Sequence, residues 1–170
     1  MKKIKKQLNK SAFSLIEIIV VLFIISIGLI GILSLIVQNI QAQDYNKNNL
    51  IATQLSQEGV ELIRVIRDSN WLKGNDFHFG LAETAGIIYS YCFAHNDESL
   101  LPSEDPCMLN LNEDGFYVHE STAVSSGFSR LITTELIEEG SAIRVISTVS
   151  WSSRVGQSSY STEALLYNWR

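Results

Sequence analysis

Glu17 is the ionisable residue with the least expected surroundings in this 170-residue chain. From Ile18 to Gln43 no charged residue occurs, and from Ile18 to Val37 only Phe23, Ser26, Gly28, Gly31 and Ser34 interrupt an aliphatic run. A helix of about 20 such residues spans the ~30 Å hydrocarbon core of a bilayer. A carboxylate inside that span costs roughly 2.5–3.5 kcal/mol on insertion scales, so an acid held there points to a function. Its chemistry is that of an anion in need of a partner.

The only two cysteines, Cys92 and Cys107, are the next candidates. Lys2, Lys3, Lys5, Lys6 and Lys10 precede the apolar run and hold the N-terminus in the cytoplasm by the positive-inside rule. Both cysteines then lie outside the cytoplasm, where disulfides persist. They bracket a loop of 14 residues, and closing such a loop is worth about 3 kcal/mol in the chain-entropy account. Spacing alone leaves two readings open, a Cys92–Cys107 bridge or two buried free thiols.

Other constellations are weaker. Asn110-Leu111-Asn112-Glu113-Asp114-Gly115 resembles the start of a calcium loop, but that pattern begins with Asp and places Glu twelfth, where this chain has Asn110 and Ser121. A hairpin turn with Asp-Gly explains the stretch better. His78, His95 and His119 have no metal-ligand spacing. There is no G-x-S-x-G, no P-loop and no G-x-G-x-x-G. Trp71, Trp151, Trp169, Tyr89, Tyr91 and Tyr117 read as core or sheet-surface residues. No catalytic residue, cofactor or metal is expected.

The elements that carry these residues follow from periodicity. Gln38–Asn49 is polar without Pro or Gly, so the apolar helix continues through it. Leu55, Leu62 and Ile66, with Ile51, Gly59 and Ile63 beside them, form one core-facing stripe. Glu58, Glu61, Arg64, Arg67 and Asp68 read as a solvated face, with Glu61–Arg64 and Arg64–Asp68 in pairing positions. The helix should end near Asn70-Trp71, ahead of the turn signal Gly74-Asn75-Asp76. From Phe13 to about Ser69 it would be about 85 Å long, more than a globule of this size buries, so half must lie in lipid or against other subunits. Gly28 and Gly31 are either a weak point in the span or, with Ser34, a close-packing face.

Residues 71–86 read as a connecting loop. Strands are expected at Ile87–Phe93, Phe116–His119, Phe128–Ile137, Ala142–Trp151 and Tyr160–Trp169, with an acidic loop at Asn96–Pro106 and a Ser/Gly-rich loop at 152–159. In 142–151, Ile143, Val145, Val149 and Trp151 should face the core, and Arg144, Thr148 and Ser150 water. Short loops between the last three strands imply an antiparallel meander. A helix followed by strands gives an α+β fold, a long N-terminal transmembrane and spine helix packed on an antiparallel sheet.

The Lys-rich leader, the small residue Ala12, the run Phe13-Ser14-Leu15-Ile16-Glu17 and the aliphatic helix behind it together resemble a type IV prepilin or pseudopilin. The resemblance covers about the first quarter of the chain. It implies that a prepilin peptidase cuts between Ala12 and Phe13 and N-methylates Phe13, and that Glu17 is the assembly glutamate. The family usually has Gly before the cut, where this chain has Ala12, and many members carry a Pro in the apolar run that this chain lacks. A secretory signal peptide would have a shorter apolar region and an earlier cleavage site than the weak one near Ala42. A plain signal anchor explains the lysines and the span, but not Phe13 or Glu17.

The implied organisation is a cleaved cytoplasmic leader at 1–12, a transmembrane half-helix at 13–37, an amphipathic half-helix at 38–70 and an exported β-rich domain at 71–170. Losing the five leader lysines leaves 8 basic against 18 acidic residues, a net charge of −10. No basic patch offsets this, so no nucleic acid partner is expected. Gln57-Glu58-Gly59-Val60-Glu61, with Arg64, Arg67-Asp68 and Asn70-Trp71, resembles a pattern in minor-pilin-type proteins. The function implied is a structural filament subunit, a minor pilin. The alternatives are a pseudopilin of a type II secretion system or a membrane-anchored exported binding domain that never polymerises. The implied partners are the prepilin peptidase, other pilins, a pilus or secretion platform protein, an assembly ATPase acting indirectly and, before assembly, the membrane. The implied location is the inner membrane, then a cell-surface or periplasmic filament.

Overall fold

Helix α1 runs from Leu15 to Lys73, 59 residues without a proline. Both ends are built from local sequence. At the start, the Ser14 carbonyl accepts from the Glu17 and Ile18 N–H groups at 3.0 and 3.3 Å. At the end, Gly74 adopts φ 76°, its N–H donates to the Trp71 carbonyl at 3.2 Å, and the Asn75 N–H reaches back to Asn70 at 2.9 Å. That pair of bonds is a Schellman cap with glycine at its left-handed position. The helix therefore continues to Lys73 rather than stopping near Asn70, because Gly74 caps it and does not merely follow it.

The computed structural model describes residues 14–93, 100–119, 124–137, 141–153 and 156–169. It divides into two compact units, one ending at Asp44 and one beginning at Tyr45. In the first, every described residue from Ser14 to Asp44 is exposed. This segment is long and apolar enough to cross a membrane.

The second unit has an α+β, pilin-like fold, residues 45–73 of α1 lying against an antiparallel sheet. Its strands are β1 (Ile88–Phe93), β2 (Leu100–Pro102), β3 (Cys107–Leu111), β4 (Tyr117–Val118), β5 (Val124–Ile137), β6 (Ala142–Ser153) and β7 (Gly156–Tyr167). Strand β5 is the spine. One edge pairs with β6, from Phe128↔Trp151 to Ile137↔Ala142. The other is shared end to end by β1, from Ile88↔Glu135 to Tyr91↔Ile132, and β3, from Cys107↔Arg130 to Leu111↔Val124. Strand β7 continues the meander by pairing with β6 from Ala142↔Tyr167 to Ser153↔Gly156.

The core lies between α1 and the inner sheet face. Val60 and Ile63 meet Ile132, Ile143 and Val145 in one cluster. Ala52 and Leu55 meet Phe128, Val149 and Trp151 in another. The alternation expected in 142–151 holds, and Ser147 joins the buried side. Gly59 sits at a close approach of the helix to the sheet. A Cβ there would collide with the Ser147 hydroxyl and lie 3.1 Å from Ser147 Cβ and 3.3 Å from Ile132 Cδ1.

Several boundaries differ from expectation. Strand β2 lies inside the stretch read as an acidic loop, and β3 follows it. Neither Leu-Leu-Pro nor Cys-Met-Leu-Asn-Leu carries the β-branched or aromatic enrichment that marks a strand. β5 starts at Val124, four residues before Phe128, across an irregularity where Gly127 takes φ 78°. β6 and β7 run through most of the Ser-rich 152–159, because pairing with a neighbour overrides weak propensity there. The Asn112–Gly115 turn forms as read, closing the β3–β4 hairpin. Gly115 N–H donates to Asn112 O at 3.1 Å and Asn112 N–H to Phe116 O at 3.0 Å.

Candidate functional site

The residues that the sequence singles out for processing straddle the start of the described chain. Ala12 and Phe13 lie outside the described residues. Ser14 and Glu17 lie inside, Ser14 just ahead of α1 and Glu17 in its first turn. Ser-x-x-Glu is the spacing of a capping box, in which the acid at the third helical position belongs beside unpaired N–H groups and the positive end of the helix dipole. Sequence reading from the membrane cost alone does not weigh this spacing, for which Ser14 three residues earlier is the signal. Among the described residues no basic group lies within ion-pairing reach of Glu17. Its carboxylate can therefore take a cation from outside these residues.

Behind Glu17 the helix is apolar on all sides. Ile18, Val21, Leu22 and Ile25 are 50, 47, 59 and 51% exposed, and Phe23 and Ile24 on other sides 64 and 63%. A helix of this kind is stable only when its whole circumference is covered, by lipid or by other helices. Among the described residues nothing in the chain covers it.

The structure joins Cys92 to Cys107, with a Cα–Cα distance of 5.9 Å. Tyr91 pairs with Ile132, and Cys107 with Arg130 on the same edge of β5. The bridge thus sits at the junction where β1 gives way to β3, and staples two short strands that share one edge. This purpose is invisible in the spacing of the cysteines.

The charged residues of α1 are not all on a solvated face. Glu61 and Arg64 pair at 2.8 Å, as the spacing predicts. Asp68 pairs instead with its neighbour Arg67, at 2.8 Å. Arg67 is buried and lies over the Trp71 ring at 4.6 Å, and Trp71 meets Trp169 edge-on at 4.7 Å. Glu58, partly exposed, is the counter-charge of the buried Arg130, 3.4 Å away. Arg130 also donates to the Leu55 carbonyl at 3.1 Å. Burial pushes the Arg130 guanidinium below its usual range, and Glu58 opposes that shift. His119 lies in the same field. Its Nδ1 contacts the Met108 carbonyl at 2.8 Å, and burial lowers its pKa, with Arg130 lowering it further against Met108 and Glu58.

Residues 8–33 match the prokaryotic N-terminal methylation motif. No curated protein and no solved structure matches the chain significantly. The motif supports the type IV pilin and pseudopilin family, and the pilin-like fold agrees with it. Within that family the match falls on the processing segment and the apolar half of α1, and so implies handling by a prepilin peptidase and assembly with other pilins. The apolar helix and the motif together fit a membrane-anchored protein that is then exported.

Proposed function

We propose that this chain is a non-catalytic, structural minor subunit of a type IV pilus-like filament. The observation that carries this reading is an apolar helix exposed on every side that begins with Glu17 inside a methylation motif. Hydrolysis of the Ala12–Phe13 peptide bond removes the lysine-rich leader, and methyl transfer to the freed nitrogen leaves a secondary amine. An α-amino group has a reference pKa near 7.7–8.0 and is mostly cationic at neutral pH. Within one chain Glu17 lies four residues along the sequence from that nitrogen. In a filament Glu17 meets instead the Phe13 amine of a neighbouring subunit, in an apolar core where the paired charges attract strongly. Removing one partner of a buried pair strands the other at a cost of about 3–5 kcal/mol. The pair thus checks the register of each incoming subunit.

The test is Glu17→Val. The variant should stay in the membrane and still be cut before Phe13, but be lost from the filament fraction at least about a hundredfold if the pair is worth that much. Wild-type levels of incorporation would remove Glu17 from the assembly step, whereas absence of the wild-type chain itself from filaments would return weight to a plain membrane anchor.

A further inference from the structure

The two edges of the sheet are built differently. On one side it ends in β2 and β4, of three and two residues, and β2 closes on Pro102. Short edge strands and proline are the usual guards against unwanted strand pairing. On the other side it ends in β7, twelve residues long, paired among the described residues to β6 alone and without an irregularity in its register. β7 contains no Lys, Arg or Pro. Its one charge, Glu163, lies on the outer face, where Arg144 holds it at 3.2 Å. An edge of this length leaves a row of outward N–H and C=O groups unpaired.

A groove of about 520 Å³ runs beside this edge, lined by Gln54, Gln57, Glu58, Glu61 and Arg64 of α1 and by Thr162 and Ala164 of β7. Its three charges are already engaged, Glu61 with Arg64 and Glu58 with Arg130. The groove therefore suits short, neutral, polar side chains projecting inward from a strand laid along β7.

The geometry points to the outer edge of β7 as a strand-addition site for an extended segment of a neighbouring, different filament subunit. This inference rests on the filament reading. The incoming strand takes its affinity from backbone hydrogen bonds to β7 and its selectivity from Ser or Thr side chains facing Gln54 and Gln57. A second copy of this chain is the poorer occupant. Two-fold antiparallel pairing of β7 with β7 would run the two copies of α1 in opposite directions, whereas both chains start from one membrane.

Hydrogen exchange on the full-length chain tests this, comparing detergent-solubilised protein with filaments sheared from the host cells. In the solubilised protein alternate β7 amides should exchange fast, and in filaments they should slow by roughly tenfold or more. Ala164→Lys, which points a charge into the groove, should melt like the wild type and lose that protection or drop out of the filaments. Wild-type filaments whose β7 amides stay fast would overturn the strand-addition site and leave the filament reading standing. Slow β7 amides in a solubilised homodimer would assign the edge to a second copy and overturn the proposal. Absence of the wild type from filaments would overturn both readings. Should Ala164→Lys fail to fold, the wild-type comparison decides by itself.

Discussion

Arg130 sits beneath α1 with Glu58 and the Leu55 carbonyl as its acceptors, and His119 shares its field. A second cation is unwelcome there. Above the ordinary histidine value, near pH 6.5, His119 is neutral in the folded and unfolded chains alike. As pH falls below it, the unfolded chain takes up the proton first, because burial and Arg130 hold the folded value lower. Stability is thus present above the unfolded value and is lost as pH falls through the folded one. Urea titrations of the full chain in detergent should show lower stability at pH 5.5 than at pH 7.5. His119→Gln should flatten part of that slope, and an unchanged slope would remove His119 from the account. These polar contacts were hidden from sequence reading. Helical spacing fixes that Glu58 and Arg67 project from α1, but not that β5 presents Arg130 to the first or that Trp71, itself met by Trp169, lies under the second. Glu61–Arg64 was legible because both partners lie on one helix.

At the scale of elements, the contact between α1 and the sheet depends on Gly59. Its lack of a side chain lets Ser147 and Ile132 approach the helix backbone. Gly59→Leu forces the two layers apart and should destabilise the fold by about 1–3 kcal/mol, read as a lower urea midpoint. A wild-type midpoint would mean that the helix can shift without loss. The helix, its amphipathic stripe and the β5–β6–β7 meander were legible because their periodicities are long. The short strands β2 and β3 were not, since they exist only because β1 and β5 offer free edges. The Cys92–Cys107 bridge ties β1 to β3 where the two meet along β5. Its loop was visible in the sequence, but the junction that it staples was not.

At the scale of the whole molecule, the two units obey opposite rules. The unit beginning at Tyr45 buries its apolar residues internally, whereas the unit ending at Asp44 buries none of its described residues. An uncovered apolar helix is unstable in water, so this unit has to pass from one apolar surrounding to another. Under the proposed function, lipid serves first and a bundle of like helices afterwards. On that proposal the segment matched by the methylation motif, residues 8–33, is where processing starts, and removal of the leader frees the amine that Glu17 would meet.

The most direct measurement of this account is the mass of the N-terminal peptide from filaments sheared off cells that express the full-length chain. The account predicts a peptide that begins at Phe13 and carries one methyl group on its nitrogen, with no leader. An intact Met1 terminus, or a terminus near Ala42, would contradict it.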